Sequence, residues 1–366
     1  MKDLSCVLNG TEKTVYALRT LYTDYGFKKY RMSKFEEYDL YAKNKNYLLS
    51  ENVITFTDTD GKLLALKPDV TLSIIKNGKD NLGVQKVFYD ENIYRVSKGT
   101  NSFKEFMQVG LECFGDIKEY EIFESIVLAL KSLKTISNDF ILDLSNLDFV
   151  QAIIEDAKLS IDGAKKVMEF LSSKNEQGVI SVCKKEGVSS ENEKQLRSLV
   201  SVYGTPKQVL DKLKELNLND KAKDLLISFE SLVLDLCQTE FSQNIKIDFS
   251  AVSDVNYYNG IVFKGFISGV PTSIISGGQY DNLMQKMGRK DKAIGFAVYL
   301  DELEKLYFSN SSFDVDVLVL YQENAKKIDI LKEIEKVINS GETALALSYI
   351  PEKLKFKKKI IVKGEN

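Results

Sequence analysis

The chain has 366 residues, 44% hydrophobic and 28% charged, the composition of a globular protein of two or three domains. Fifty basic residues against fifty-three acidic ones give a net charge of −3, which excludes the strongly basic footprint of a general nucleic-acid binder. No apolar run approaches the roughly 18 residues of a membrane span, and the first residues lack a secretory pattern, so a cytoplasmic protein with no membrane partner is expected. There is no histidine. Serine–histidine and cysteine–histidine nucleophile pairs, histidine general bases and most transition-metal sites are thereby excluded. Cys6, Cys113, Cys183 and Cys237 lie far apart with no CxxC pair and read as reduced thiols. Chemistry must rest on carboxylates, Lys, Arg, Tyr and backbone, and neither a metal nor another cofactor is expected.

In chain order, Thr11–Tyr25 places Val15, Leu18, Tyr22 and Tyr25 on one helical face, with Gly26 as a stop. Val53–Phe56 and Leu63–Leu66 flank Asp58-Thr59-Asp60-Gly61, which predicts a hairpin. Val87–Val96 and Phe106–Phe114 predict a second strand pair around the polar loop Ser97–Ser102, followed by a helix over Tyr120–Leu133. From about 146 to 240 the sequence becomes Lys/Glu/Ser-rich with 3.6-residue apolar spacing, which predicts a helical insertion. Alternation at Ile245, Ile247, Phe249 and Ala251 restores strand character. A hairpin of Ile261–Ile267 with Thr272–Ile275, a helix at Tyr280–Met287, a strand at Ala293–Val298 and a helix from about Tyr299 to Tyr307 follow. The remainder reads strand (Val315–Tyr321), helix (Asn324–Ile338), strand (Ala344–Tyr349) and strand (Lys359–Val362), a small α/β appendage.

Four stretches could carry chemistry, and each has a plain structural alternative. Ser276-Gly277-Gly278-Gln279-Tyr280 alone reads as a tight strand-to-helix turn; no GxxxxGK[ST] or strand-following GxGxxG phosphate loop exists. In Leu66-Lys67-Pro68-Asp69-Val70-Thr71, Asp69 and Thr71 can cap a helix, or can clamp an ammonium group. In Phe106–Phe114, Gln108, Gly110 and Glu112 share one face of a strand, either a ligand floor or a solvent-facing edge. Asp254-Val255-Asn256-Tyr257-Tyr258-Asn259-Gly260 carries a tyrosine pair that packs in a core or lines a site.

The order and spacing of these stretches resemble histidyl-tRNA synthetase, a class II aminoacyl-tRNA synthetase. Tyr25-Gly26-Phe27 leading to Phe35-Glu36 resembles motif 1, with Ser33 in place of its usual proline. Tyr94-Arg95 through Glu112 resembles motif 2, and Ala293-Ile294-Gly295-Phe296-Ala297 resembles motif 3. Asp254–Gly260 and Gly277-Gly278-Gln279-Tyr280-Asp281 are similar to two histidine-specific stretches. The resemblance covers about residues 10–307. It implies an α+β fold: a class II synthetase-like antiparallel sheet flanked by helices over 1–310, with the helical insertion at about 146–240. Residues 313–366 would be a truncated anticodon-binding-like α/β domain. Lys353, Lys355, Lys357, Lys358 and Lys359 then read as a solvated edge, and no tRNA partner is expected.

By the same resemblance, Asp69, Thr71 and Gln108 would hold the α-ammonium group of histidine, while Glu112 and Tyr258, with Tyr257 beside them, would address the imidazole. The positions that grip ATP and the substrate carboxylate in the synthetases depart: Ser102 and Ser253 stand where arginines are expected, and Glu302 inverts the charge of the motif 3 arginine. One charge pair at 4 Å is worth on the order of 4 kcal/mol at a surface-like dielectric, so this inversion against a polyanion is severe. Arg95 and Lys104 remain. A histidine-binding core without ATP machinery resembles the regulatory subunits of ATP phosphoribosyltransferase. That resemblance implies a non-catalytic chain that activates a short catalytic subunit in the first step of histidine biosynthesis and helps feedback inhibition by histidine. It also implies a homodimer core within a hetero-oligomer. A divergent histidyl-tRNA synthetase is the alternative, and pyrophosphate exchange would reveal it.

Overall fold

The structure is a computed structural model and describes residues 8–44, 53–78, 83–96, 102–250, 257–301, 303 and 313–364. The chain separates into two compact units, one spanning Thr14–Leu303 and a second containing the C-terminal α/β segment. Among the described residues no helix is long and apolar enough to cross a membrane.

The larger unit opens with α1 (Gly10–Asp24), which buries Thr14, Val15, Leu18 and Tyr22 along one stripe and ends where Gly26 adopts φ +81°. Next come β1 (Lys28–Lys29), β2 (Phe35–Glu37), α2 (Tyr38–Lys43), β3 (Thr55–Thr57) and β4 (Leu63–Leu66). Strands β3 and β4 pair antiparallel around Gly61 at φ +80°, and Asp58 Oδ1 accepts from the N–H groups of Asp60 and Lys62, so the Asp-Gly hairpin forms as expected. A short helix, α3 (Thr71–Asn77), precedes the long strands β5 (Gln85–Val96) and β6 (Phe103–Gly115), which pair over their whole length. Next in the chain come α4 (Glu119–Ile136) and β7 (Phe140–Asn146).

The stretch expected to be helical is so: α5 (Leu147–Asp156), α6 (Ile161–Ser172), α7 (Glu176–Glu186), α8 (Ser190–Ser201), α9 (Pro206–Lys214) and α10 (Asp220–Cys237), interrupted by the two-residue β8 (Tyr203–Gly204). Its Ser/Asn content marks helix starts. Asn146, Ser160, Asn175, Ser189 and Asn219 each accept an N–H from the first turn of the helix that follows, worth about 1 kcal/mol apiece. The chain then returns to the sheet through β9 (Ile245–Asp248), β10 (Asn259–Ile267), β11 (Ile275–Gln279), α11 (Asp281–Lys286) and β12 (Lys292–Tyr299).

The central sheet runs β1-β5-β6-β12-β11-β10-β7-β9-β8, antiparallel except where β1 meets β5 and β7 meets β9. One expectation is corrected here. Thr272 and Ser273 precede the strand, and Gly277-Gly278 lie within β11, not in a turn. A Cβ on Gly277 would meet the Gly295 carbonyl and the Phe263 ring, and one on Gly278 the Ile261 carbonyl at 2.7 Å and Tyr258 at 3.0 Å. These glycines serve close packing, not a positive φ. The helix expected from about Tyr299 to Tyr307 lies largely outside the described residues.

In the smaller unit, β13 (Val315–Tyr321), α12 (Lys327–Asn339), β14 (Ala344–Leu347) and β15 (Phe356–Val362) form a parallel sheet of order β14-β13-β15. Val317, Val319, Val337 and Val362 make its core. The helix begins later than expected because Gln322–Ala325 turn first, the Gln322 carbonyl accepting from Ala325 N–H. Lys357, Lys358 and Lys359 sit on edge strand β15, with Lys353 and Lys355 just before it; Lys357 pairs with Asp316 and Lys358 with Glu342, both at 2.6 Å.

Candidate amino-acid site

Strand alternation and register put one set of side chains on one face of the sheet. On β6, Gln108, Gly110 and Glu112 share a face; opposite them stand Tyr299, Ala297 and Gly295 of β12, and Tyr89 of β5 faces Gly110. Gln108 and Glu112 are each only 3% exposed, so the solvent-edge reading of this strand fails. Two glycines shape the floor. A Cβ on Gly110 would strike the Tyr89 hydroxyl at 2.5 Å, and a Cβ on Gly295 would fall on the Glu112 carboxylate.

The segment before α3 closes one side. Asp69 Oδ1 accepts the Leu72 N–H at 2.9 Å, so Asp69 does satisfy the helix start. Thr71 does not cap: its hydroxyl donates to Glu112 Oε1 at 2.6 Å. From the far side Tyr280 OH donates to Glu112 Oε2, also at 2.6 Å. Tyr257 and Tyr258 stack edge-to-face with centroids 4.6 Å apart. Tyr257 is buried in the core cluster with Tyr280 and also lines the hollow, so both readings of the pair are true of it.

The structure therefore gathers Asp69, Thr71, Gln108, Glu112, Tyr257 and Tyr258 around one hollow. Among the further lining residues that the sequence reading did not assign to the site, those with polar side chains are Tyr89, Tyr280, Tyr299 and Arg95. Strand alternation from Gly110 across the register would have found Tyr89 and Tyr299. Arg95 points inward, its Nε donating to the Pro68 carbonyl at 2.6 Å and its guanidinium lying 3.6 Å from Asp69. Ser102 is exposed at the start of β6, while Ser253 and Glu302 lie outside the described residues.

Two carboxylates and one guanidinium line this hollow. Burial pushes Glu112 up to about 8, against the hydroxyls of Thr71 and Tyr280, which favour its charged form; the charge of Asp69 adds to the rise. Burial raises Asp69 as well, opposed by Arg95 and by the N–H groups of Leu72 and Thr71. Burial, with the Glu112 charge next, also lifts Tyr280, which stays a hydroxyl donor. The free space between these groups is about 30 Å³, room for a water or two. Chemically the site offers charged and neutral acceptors to an ammonium or an imidazole N–H.

Comparison with known proteins agrees with this architecture. The model of the histidyl-tRNA synthetase family matches residues 8–303. The ATP phosphoribosyltransferase regulatory subunit of Ruminiclostridium cellulolyticum is 27% identical over 93% of this chain and 84% of its own length. An ATP phosphoribosyltransferase regulatory subunit/histidyl-tRNA synthetase from Bacillus halodurans superposes with a TM-score of 0.80 at 22% identity, covering 97% of this chain and 94% of that one. A chain of the ATP phosphoribosyl transferase (HisG:HisZ) complex from Thermotoga maritima superposes at 0.62 with 17% identity, covering 78% of this chain and 96% of that one. With its sheet order, its glycine-floored hollow and the family match over most of its length, the chain belongs to the histidyl-tRNA synthetase family.

Proposed function

We infer that this chain is a non-catalytic regulatory subunit of ATP phosphoribosyltransferase, acting in histidine biosynthesis with a catalytic subunit as partner. The observation that carries this reading is the name shared by relatives aligned over most of the chain, from Ruminiclostridium, Alkaliphilus and Clostridium, at 27–29% identity. The chemistry of the hollow is consistent with it. Asp69, Thr71 and Gln108 suit an α-ammonium group, and Glu112 with Tyr257 and Tyr258 suits an imidazole, so histidine is the proposed effector. Synthetase chemistry needs cationic groups at the developing adenylate charge. Arg95 is engaged with Asp69 and the Pro68 carbonyl. Ser102, Ser253 and Glu302 occupy the positions where the resemblance expects arginine.

We also propose a homodimer core. On the β2-β4-β3 sheet, Phe35 and Phe56 pack edge-to-face with centroids 5.5 Å apart while remaining 46% and 38% exposed, an apolar face suited to a second copy. The test of the main reading is the rate of phosphoribosyl-ATP formation by the short catalytic subunit from the same source, with and without this chain, across a histidine titration. Activation followed by inhibition by histidine supports the reading. A rate indifferent to this chain refutes it, and histidine-dependent ATP–pyrophosphate exchange would then favour a working synthetase.

A further inference from the structure

A second and larger hollow, of about 630 Å³, opens where the first turn of α4, the start of α5 and the C-terminal half of α10 meet β10 and β11. Its size falls within the range of about 300–1,000 Å³ usual for small-molecule sites. Phe229 is buried in its wall, Phe123 half-buried, and Tyr120 stands exposed at the rim. Three carboxylates line it, one from each helix: Glu119, Asp148 and Asp235. No lysine or arginine lines it. Asp148 Oδ1 accepts the Gly260 N–H at 3.1 Å, and among the described residues none of the three forms an ion pair. All three are exposed, and Glu119 also borders a neighbouring hollow that carries Lys118, Lys290 and Lys292, so the acidic character of this concavity rests mainly on Asp148 and Asp235.

We propose that this hollow is a binding site for a small aliphatic polyamine. A metal ion is the poorer match, because it needs oxygens converging on one point. No group of three carboxylate, thiol or imidazole side chains that could hold a metal occurs among the described residues. Acids spread over three helices instead match ammonium groups spaced along a flexible chain, whose methylenes lie against Phe123 and Phe229 while Tyr120 offers a cation–π face. The site is distinct from the amino-acid hollow but shares its wall. Gln279 lines this hollow and Tyr280, the next residue, lines the other.

The test is calorimetric titration of spermidine into the full-length chain at low ionic strength. One spermidine per chain is expected, with affinity falling at least tenfold in Asp148→Asn/Asp235→Asn and steeply as salt rises. Ser231→Trp should block the hollow by bulk, and Glu112→Ala should leave spermidine affinity unchanged. Circular dichroism confirms that each variant is folded. Unsaturable binding, binding untouched by the acid and bulk variants, or loss in Glu112→Ala would overturn the assignment. Saturable binding of a lysine-rich peptide with no response to spermidine would overturn it in favour of a protein contact.

Discussion

Glu112→Gln isolates the electrostatic cost of closing the amino-acid hollow around a carboxyl group. Glu112 is 3% exposed, and burial raises it from 4.5 to about 8 despite two hydroxyl donors. A carboxyl held above its ordinary value keeps its proton in the folded state at pH values where the unfolded chain has released it. Stability from this group is therefore present at low pH and is lost as pH rises from about 4.5 to about 8. At about 1.4 kcal/mol per pH unit, the full swing is on the order of 5 kcal/mol. Glutamine keeps the shape, accepts the Thr71 or Tyr280 hydroxyl through its carbonyl, and does not titrate. Urea unfolding of both proteins at pH 5, 6, 7 and 8 measures the difference directly. The glutamine variant should gain on the parent by roughly 1 kcal/mol per pH unit across this series. A constant difference would mean that Glu112 is already charged in the folded protein at pH 5, and the argument from burial would fail.

Gly295→Ala places a methyl on the Glu112 carboxylate and should raise the histidine concentration for half-inhibition of the complex at least tenfold, with activation by the chain retained. Asp90, 3% exposed in its side chain, holds both Arg19 and Lys29, so Asp90→Asn should destabilise by about 2 kcal/mol in urea unfolding; the figure is discounted because both cations are a third exposed. Asp143 is pushed up to about 7, first by burial and then by Asp248, while Lys174, Lys246 and Lys264 pull it down. Thermal melts of Asp143→Asn should thus show it gaining on the parent between pH 4 and pH 7, and parallel melting curves would contradict this. Phe35→Asp should shift sedimentation from dimer to monomer, whereas an unchanged profile would remove the Phe35–Phe56 face from the interface.

The helices and long strands were legible because their signals are periodic: α1, α4 and the β5–β6 pair fall within a few residues of where spacing puts them. The polar half of the site was legible too, through two-residue alternation at Gln108 and Glu112 and through the resemblance that linked them to Asp69 and Tyr258. What escaped has a common physical cause. Gly277-Gly278 looks the same in sequence whether a glycine is needed for a turn or for want of space, and only the neighbouring strand β12 decides it. Tyr89 and Tyr299 enter the site through register, a property of strand pairs that a single strand's pattern does not contain. Thr71 illustrates the same limit at one residue. Its place at a helix start suggested a cap, yet a carboxylate 41 positions away accepts its hydrogen bond.

The floor of the amino-acid hollow lies where Gly278, Gly295 and Glu112 stand in a row across three strands, with Gly110 one step along. Its depth is set by atoms these positions lack. Space and charge are thereby coupled in this floor: a methyl at 110 would press on the Tyr89 hydroxyl and one at 295 on the Glu112 carboxylate, so a change of size there also displaces a polar group. A lineage that enlarged either glycine would therefore have to resettle Tyr89 or Glu112 in the same step, and the two glycines are held in place by their polar neighbours as much as by any guest.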